Sequence, residues 1–121
     1  MSKVLIAEDS GVMRKIILRT LNGLGFNDVV EAADGAIAWD AFQSDHFDLV
    51  LSDWNMPNMS GIELLRAIRE SGADVPVLMI TTESEQSRVV DAIQAGANSY
   101  LVKPFDPETL SQKLESIAVT A

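Results

Sequence analysis

The sequence contains no cysteine. A disulfide frame, a thiolate metal site and a cysteine nucleophile are therefore excluded. A single histidine, His46, is too little for a histidine-based zinc site. Basic residues are scarce: nine Lys and Arg stand against 18 Asp and Glu, a net charge of −9 at pH 7. That balance opposes binding to nucleic acid or to an anionic membrane surface through bulk charge. No apolar run approaches the roughly 18 residues of a membrane span, and Met1-Ser2-Lys3 leads straight into a strand-like Val4-Leu5-Ile6-Ala7. The expectation is a cytoplasmic protein that engages neither nucleic acid nor membrane.

What is present suits one folded domain. The chain has 121 residues, 47% hydrophobic and 22% charged, enough to bury about two-thirds of its unfolded surface and too apolar to stay disordered. No linker, repeat or low-complexity tract divides it, so residues 1–121 are expected to form a single domain. Short apolar runs at 4–7, 29–32, 48–52, 77–81 and 100–102 are rich in Val, Ile and Leu rather than alternating, as in strands buried on both faces. Helical patterns fall between them. The first carries Met13, Ile16, Ile17, Leu21 and Leu24 and stops at Gly23 and Gly25. The second spans 35–43 with Ile37, Ala41 and Phe42 inward. Ser60-Gly61-Ile62-Glu63 is a capping-box pattern opening the third, which continues through Leu64, Leu65 and Ile68. The fourth holds Val89, Val90 and Ile93 and ends at Gly96. Asp106-Pro107 opens the fifth, which buries Leu110, Leu114 and Ile117. Strands alternating with helices through short loops predict parallel strands joined by right-handed crossovers, a three-layer α/β sandwich.

In such a sheet, ligands bind beyond the carboxyl ends of the strands. Glu8 and Asp9 follow the first strand, Asp53 follows the third, Thr81 and Thr82 end the fourth and Lys103 ends the fifth. Glu8 and Asp9 could each serve only as a cap for the first helix. Three carboxylates gathered with a lysine on one edge ask for more. They repel one another, and an all-oxygen site of this kind suits Mg²⁺. A carboxylate beside a hard cation, an ammonium and a hydroxyl can accept a phosphoryl group as an acyl phosphate. The P-loop pattern Gly-x-x-x-x-Gly-Lys-Ser/Thr is missing, so a nucleotide is not the obvious donor.

Glu8-Asp9, Asp53-Trp54-Asn55-Met56-Pro57, Thr81 and Lys103-Pro104-Phe105, in this order and spacing, resemble the receiver domains of two-component response regulators along the full chain. Residues 53–59, Gln94-Ala95-Gly96-Ala97 and Tyr100 are most similar to the stand-alone chemotaxis receivers of the CheY group. The resemblance implies a flavodoxin-like (βα)5 fold with strand order 2-1-3-4-5. It implies that Asp53 accepts phosphate from a CheA-like histidine kinase, with Mg²⁺ held by Asp9, Asp53, the Asn55 carbonyl and Glu8. Lys103 would pair with the acceptor, and the Thr81 hydroxyl and Thr82 amide would serve the phosphoryl oxygens. Lys103-Pro104 would be cis. Thr81 and Tyr100 would form the switch, and Asn55 and Glu83 would tune self-dephosphorylation. Output would be binding of another protein, such as a flagellar motor switch protein, to the face made by the fourth helix, fifth strand and fifth helix. No output domain is expected after the fifth helix. The protein would be no enzyme beyond its own phosphorylation and dephosphorylation, and monomeric, since no exposed apolar stripe asks for a dimer.

Four features depart from the best-known chemotaxis pattern. Glu8 replaces Asp, Ser10 an aromatic, and Thr82 a small apolar residue, while Glu85-Gln86 replace two lysines on the expected output face. Trp39 and His46 carry no assigned role. Three other readings stand beside the leading one. The first is a phosphorelay intermediate or adaptor receiver outside chemotaxis. The second is an Asp-nucleophile phosphohydrolase, which Asn55 disfavours by standing where a general acid would be needed. The last is a flavin carrier, whose phosphate loop would be rich in Ser, Thr and Gly instead of Glu8-Asp9.

Overall fold

The computed structural model describes residues 2–82 and 86–117, without the side chains of Thr82 and Gln86. Strands β1 (Lys3–Ala7), β2 (Asp28–Ala32), β3 (Leu49–Asp53), β4 (Val77–Thr82) and β5 (Ser99–Lys103) alternate with five helices. These are α1 (Gly11–Gly23), α2 (Gly35–Ser44), α3 (Gly61–Glu70), α4 (Gln86–Gln94) and α5 (Pro107–Ser116). Every strand pair is parallel, and the order is β2-β1-β3-β4-β5, the flavodoxin-like order expected. The winding reverses at β1, which lies between β2 and β3, so the crevice of the sheet opens at the carboxyl ends of β1 and β3.

The central strands are apolar at successive positions because each face of the sheet is covered. Leu5, Ala7, Val50, Val77 and Met79 belong to one core with Ala38, Leu64, Leu65 and Ile68. Val4, Ile6, Leu49, Leu51, Leu78 and Ile80 belong to a second with Ile17, Leu21, Leu110 and Leu114. Burying a side chain of this size stabilises the fold by about 1.5–3 kcal/mol, so a one-residue slip of any central strand is prohibitively costly.

Four helices start on side-chain caps. Ser60 and Glu63 form the full capping box, and Asp106 accepts from the Thr109 amide at 2.8 Å with Pro107 in the first turn. Sequence reading missed two others: Ser10 caps α1 through the Met13 amide, and Asp34 caps α2 through the Ile37 amide. Ser10 thus performs the capping that Glu8 or Asp9 alone could have explained, and α1 has no acid in its first turn.

Other expectations need correction. β3 begins one residue later than predicted and takes in Asp53, because Asp48 is occupied outside the strand: its carboxylate accepts from the Lys3 amide and its own amide donates to the Lys3 carbonyl, both at 2.8 Å. In α2, Ile37 is half exposed and Ala38 is buried. In α4, Ala92 is buried, Val89 is half-buried, and Val90 and Ile93 are exposed at 55% and 46%. In α1, Ile16 is exposed, as is the C-cap Leu24, while Ile17, Thr20 and Leu21 are buried. The reason is common to α2 and α4: small alanines face the sheet so that the helix can approach closely, and the larger neighbours are left on the flank. The expected lack of an exposed apolar stripe is corrected by the same facts, since α1 exposes Val12 and Ile16 one turn apart and α4 exposes Val90 and Ile93 likewise.

Candidate functional site

Parallel register carries the polar ends of the strands to one edge. Ala7 pairs with Ser52, Asp53 with Ile80, and Thr82 with Lys103. Glu8 extends β1, its amide donating to the Ala32 carbonyl at 3.0 Å. Carboxylate oxygens of Glu8, Asp9 and Asp53 come within 4.8 Å of one another. Glu8 is fully buried, Asp53 is 6% exposed and Asp9 is exposed.

Lys103 reaches this group from the end of β5, across β4. Its Nζ lies 2.9 Å from Glu8 Oε1 and 3.2 Å from Asp53 Oδ1. Asp53 Oδ1 also accepts from the Trp54 amide at 2.9 Å. Burial pushes the Glu8 carboxyl up to about 7, against the Lys103 hydrogen bond and with the Asp53 charge adding to the rise. Burial pulls Lys103 down, yet its hydrogen bond to Glu8 and the charges of Asp53 and Glu8 outweigh this and raise it. One ammonium is thus shared by a crowded acid group, the kind of conflict that a divalent cation relieves.

Thr81 lies on β4, between the strands that carry Asp53 and Lys103, and is 3% exposed. Its Oγ1 is buried and makes no hydrogen bond among the described residues. A buried hydroxyl left unsatisfied costs free energy unless something else engages it. The donor set therefore fits a hard cation, through Glu8, Asp9 and Asp53, with an anionic oxygen group beside it.

The other expected residues fall as follows. Thr82 ends β4 with its backbone at the site edge, paired with Lys103; its side chain is outside the described residues. Glu83 and Glu85 also lie outside them, and Gln86 opens α4 with its side chain likewise outside. The Lys103-Pro104 bond is cis, as expected. Tyr100 is half-buried on β5, opposite Met79, with Lys113 Nζ 4.5 Å from its ring centroid. It stands apart from the carboxylates, three residues before Lys103. Trp39 stacks on Phe42, and His46 pairs with Asp48 at 3.1 Å, away from the site.

Sequence reading missed two arginines. Arg14 donates to the Glu8 carbonyl at 2.8 Å, holding the β1–α1 turn from inside α1. Arg88 donates to Asn55 Oδ1 at 3.0 Å and lies 5.2 Å over the Trp54 ring. No sequence spacing signals a contact across 33 residues. In the sequence, Gly61 signals only a place in the capping box. A Cβ there would stand 2.1 Å from the Asp53 carbonyl oxygen, and its amide donates to the Trp54 carbonyl at 2.8 Å. Glycine at this position lets α3 begin directly against the backbone of Asp53 and Trp54.

Comparison with known proteins points the same way as this geometry. The family described as response regulator receiver domain matches residues 4–115. The chain is 46% identical over 117 residues to the chemotaxis protein CheY of Pseudomonas aeruginosa, covering 95% of this chain and 94% of that protein. It is 43% identical over 121 residues to a CheY homologue of Campylobacter jejuni, covering 98% and 93%. Among solved structures, the chemotaxis response regulator CheY4 of Vibrio cholerae superposes with a TM-score of 0.89 at 39% identity, over 97% of this chain and 98% of that one. A sensor histidine kinase receiver domain from Pseudomonas aeruginosa, described with a magnesium ion coordinated in its active-site cleft, gives 0.84 at 31% identity, over 98% of each chain.

Proposed function

This chain belongs to the response regulator receiver family, and from that membership and the site we propose a phosphorylation-controlled chemotaxis switch with Asp53 as acceptor. Receivers of the CheY kind are signalling proteins, and the family as a whole points to a histidine kinase as donor. One observation carries the residue assignment: the Asp53 carboxylate stands at the strand edge within ion-pair reach of Lys103, and the buried Thr81 hydroxyl on the adjacent strand lacks a partner among the described residues.

Lys103 and the Trp54 amide both hold Asp53 Oδ1, so Oδ2 is the oxygen not engaged by them and the one suited to attack. The new P–O bond forms at Asp53 as the P–N bond of the donor phosphohistidine breaks. The electron pair leaves with the imidazole, which takes a proton from solvent. Lys103 then turns from the carboxylate to a phosphoryl oxygen, and the Thr81 hydroxyl donates to another, with the Thr82 amide as a further donor. Glu8, Asp9, Asp53 and the Asn55 carbonyl would hold Mg²⁺, which would supply charge neutralisation at the phosphoryl oxygens.

The dianionic product differs in charge and size from the carboxylate it replaces. Thr81 drawn toward it vacates space near β5, where Tyr100 can move inward. That movement biases the face of α4, β5 and α5 between two states read by a protein partner. A flagellar motor switch protein is the partner that the chemotaxis relatives suggest, and Glu83 and Asn55 are the positions expected to set the phosphoryl lifetime.

Intact mass after incubation with acetyl phosphate tests this reading. The wild type should gain one phosphoryl group only with Mg²⁺ present, and Asp53→Asn should gain none. An adduct that survives in Asp53→Asn would place the acceptor elsewhere. No adduct in the wild type would leave a phosphorylation-independent binding module.

A further inference from the structure

Arg88 stands in the first turn of α4 and touches the two residues that immediately follow Asp53. Its Nη1 donates to Asn55 Oδ1 at 3.0 Å, and its guanidinium carbon is 5.2 Å from the centroid of the Trp54 ring. A guanidinium has donors only, so the Asn55 carboxamide must present its oxygen to Arg88. The NH₂ group is then the part of Asn55 left for another acceptor, such as a phosphoryl oxygen or an attacking water. The indole is a firm platform for this contact, because Trp54 is largely buried and its amide also bonds the Ile80 carbonyl at 3.0 Å. Stacking and hydrogen bonding together fix the plane of the guanidinium, which an ammonium could not reproduce.

The two ends of α4 are tied differently. Beyond its C-terminal end, Arg69 of α3 donates twice to the Gly96 carbonyl, at 3.0 and 2.9 Å, and once to Asn98 Oδ1 at 3.0 Å. Asn98 Oδ1 also accepts from the Val77 amide, so that end is fastened to β4 as well. Near the other end, Arg88 reaches the acceptor loop through side chains. Between them, α4 presents Val90 and Ile93 to the outside.

We infer that Arg88 is a positioning residue that orients the Asn55 carboxamide beside the acceptor and makes the phosphoryl lifetime depend on the placement of α4. The inference rests on Asp53 being the acceptor. In hydrolysis of the aspartyl phosphate a water oxygen bonds to phosphorus and the P–O bond to Asp53 breaks. The electron pair returns to the carboxylate, and the water proton passes to solvent. An Asn55 amide held in one orientation assists that attack, whereas a freed amide samples orientations that do not. A partner that shifts α4 withdraws Arg88, and by linkage the binding of that partner and phosphorylation affect each other.

Arg88→Ala, Arg88→Lys, Asn55→Ala and the Arg88→Ala/Asn55→Ala double variant would be phosphorylated with acetyl phosphate and Mg²⁺, and phosphoryl loss followed by intact mass. Loss from Arg88→Ala should be about three- to tenfold slower than from wild type, the scale of one oriented hydrogen bond. Arg88→Lys should recover only part of the rate, and Arg88→Ala should add no further change in the Asn55→Ala background. An unchanged lifetime in Arg88→Ala, or an equal slowing in both backgrounds, overturns the inference. A second measurement needs no phosphate: in a Trp39→Phe background, acrylamide should quench Trp54 more strongly once Arg88 is alanine. Unchanged quenching means that the clamp does not exist. A wild type that takes up no phosphoryl group removes the acceptor reading and this inference with it, and the quenching result tells that failure from failure of the clamp.

Discussion

Glu8 occupies a difficult position, fully buried beside the Asp53 charge with Lys103 as its counter-ion. Its carboxyl is pushed up to about 7, by burial above all, from an ordinary value of 4.5. A raised acid stabilises the fold while protonated, so that contribution is complete below about 4.5 and is lost as pH rises through about 7. In the metal-free protein, stability should therefore fall as pH rises across that window. Chemical denaturation in EDTA at several pH values measures this, and Glu8→Gln should flatten the slope. Mg²⁺ should raise the melting temperature more at pH 8 than at pH 5; an equal rise at both would mean that Glu8 is not part of the metal site. Asp34, Asp45, Asp48 and Asp106 do not confuse the measurement. Hydrogen bonds hold each below its ordinary value of 3.8, led by a backbone amide for Asp34, Asp48 and Asp106 and by the Lys3 ammonium for Asp45. Their contribution is present above that value and is lost only as pH falls below it.

At the level of elements, α2 and α3 start so close to the β3–α3 loop that side chains are excluded from their first residues. A Cβ on Gly35 would lie 1.9 Å from the Met59 carbonyl oxygen, and one on Gly61 would lie 2.1 Å from that of Asp53. Both obstacles are backbone, so neither can swing aside. Gly61→Ala should destabilise the protein by about 2 kcal/mol or more, the range of overpacking in a closed site, and should displace Asp53 enough to slow phosphorylation. Gly23→Ala is the control. Nothing lies within 4 Å of a Cβ there and the residue is helical, so it should be neutral or stabilise by about 0.4–1 kcal/mol. Urea melting of both variants decides the matter, and equal midpoints for the two would refute the close approach of α3.

For the whole molecule, the net charge of −9 opposes an anionic phosphodonor at long range. Lys103 and Arg88 are local cations at the site, but they act against the field of the full surface. With Mg²⁺ saturating, the rate of phosphorylation by acetyl phosphate should rise about two- to threefold as ionic strength goes from about 10 to 150 mM, where the Debye length shrinks to about 8 Å. A rate that falls with salt would show that the local cations dominate the approach of the donor. Among the described residues no helix is long and apolar enough to cross a membrane.

Much of this protein was determined by local sequence. Continuous Val, Ile and Leu runs between helical periods require parallel strands covered on both faces, and Ser60-x-x-Glu63 and Asp106-Pro107 mark helix starts through bonds spanning only a few residues. The edge position of Glu8, Asp9, Asp53, Thr81 and Lys103 follows from where those runs stop. Tertiary structure decided what depends on distance through space. Whether α2 buries Ile37 or Ala38, and α4 Val90 or Ala92, is settled by how closely each helix approaches the sheet, which hydropathy spacing does not encode. The same holds for Arg88 on Asn55 and Trp54, for Arg69 on Gly96, and for the burial that raises Glu8. Each needs two segments far apart in the chain to meet, and only the assembled sheet and helices, with the crevice at β1 and β3, bring them together.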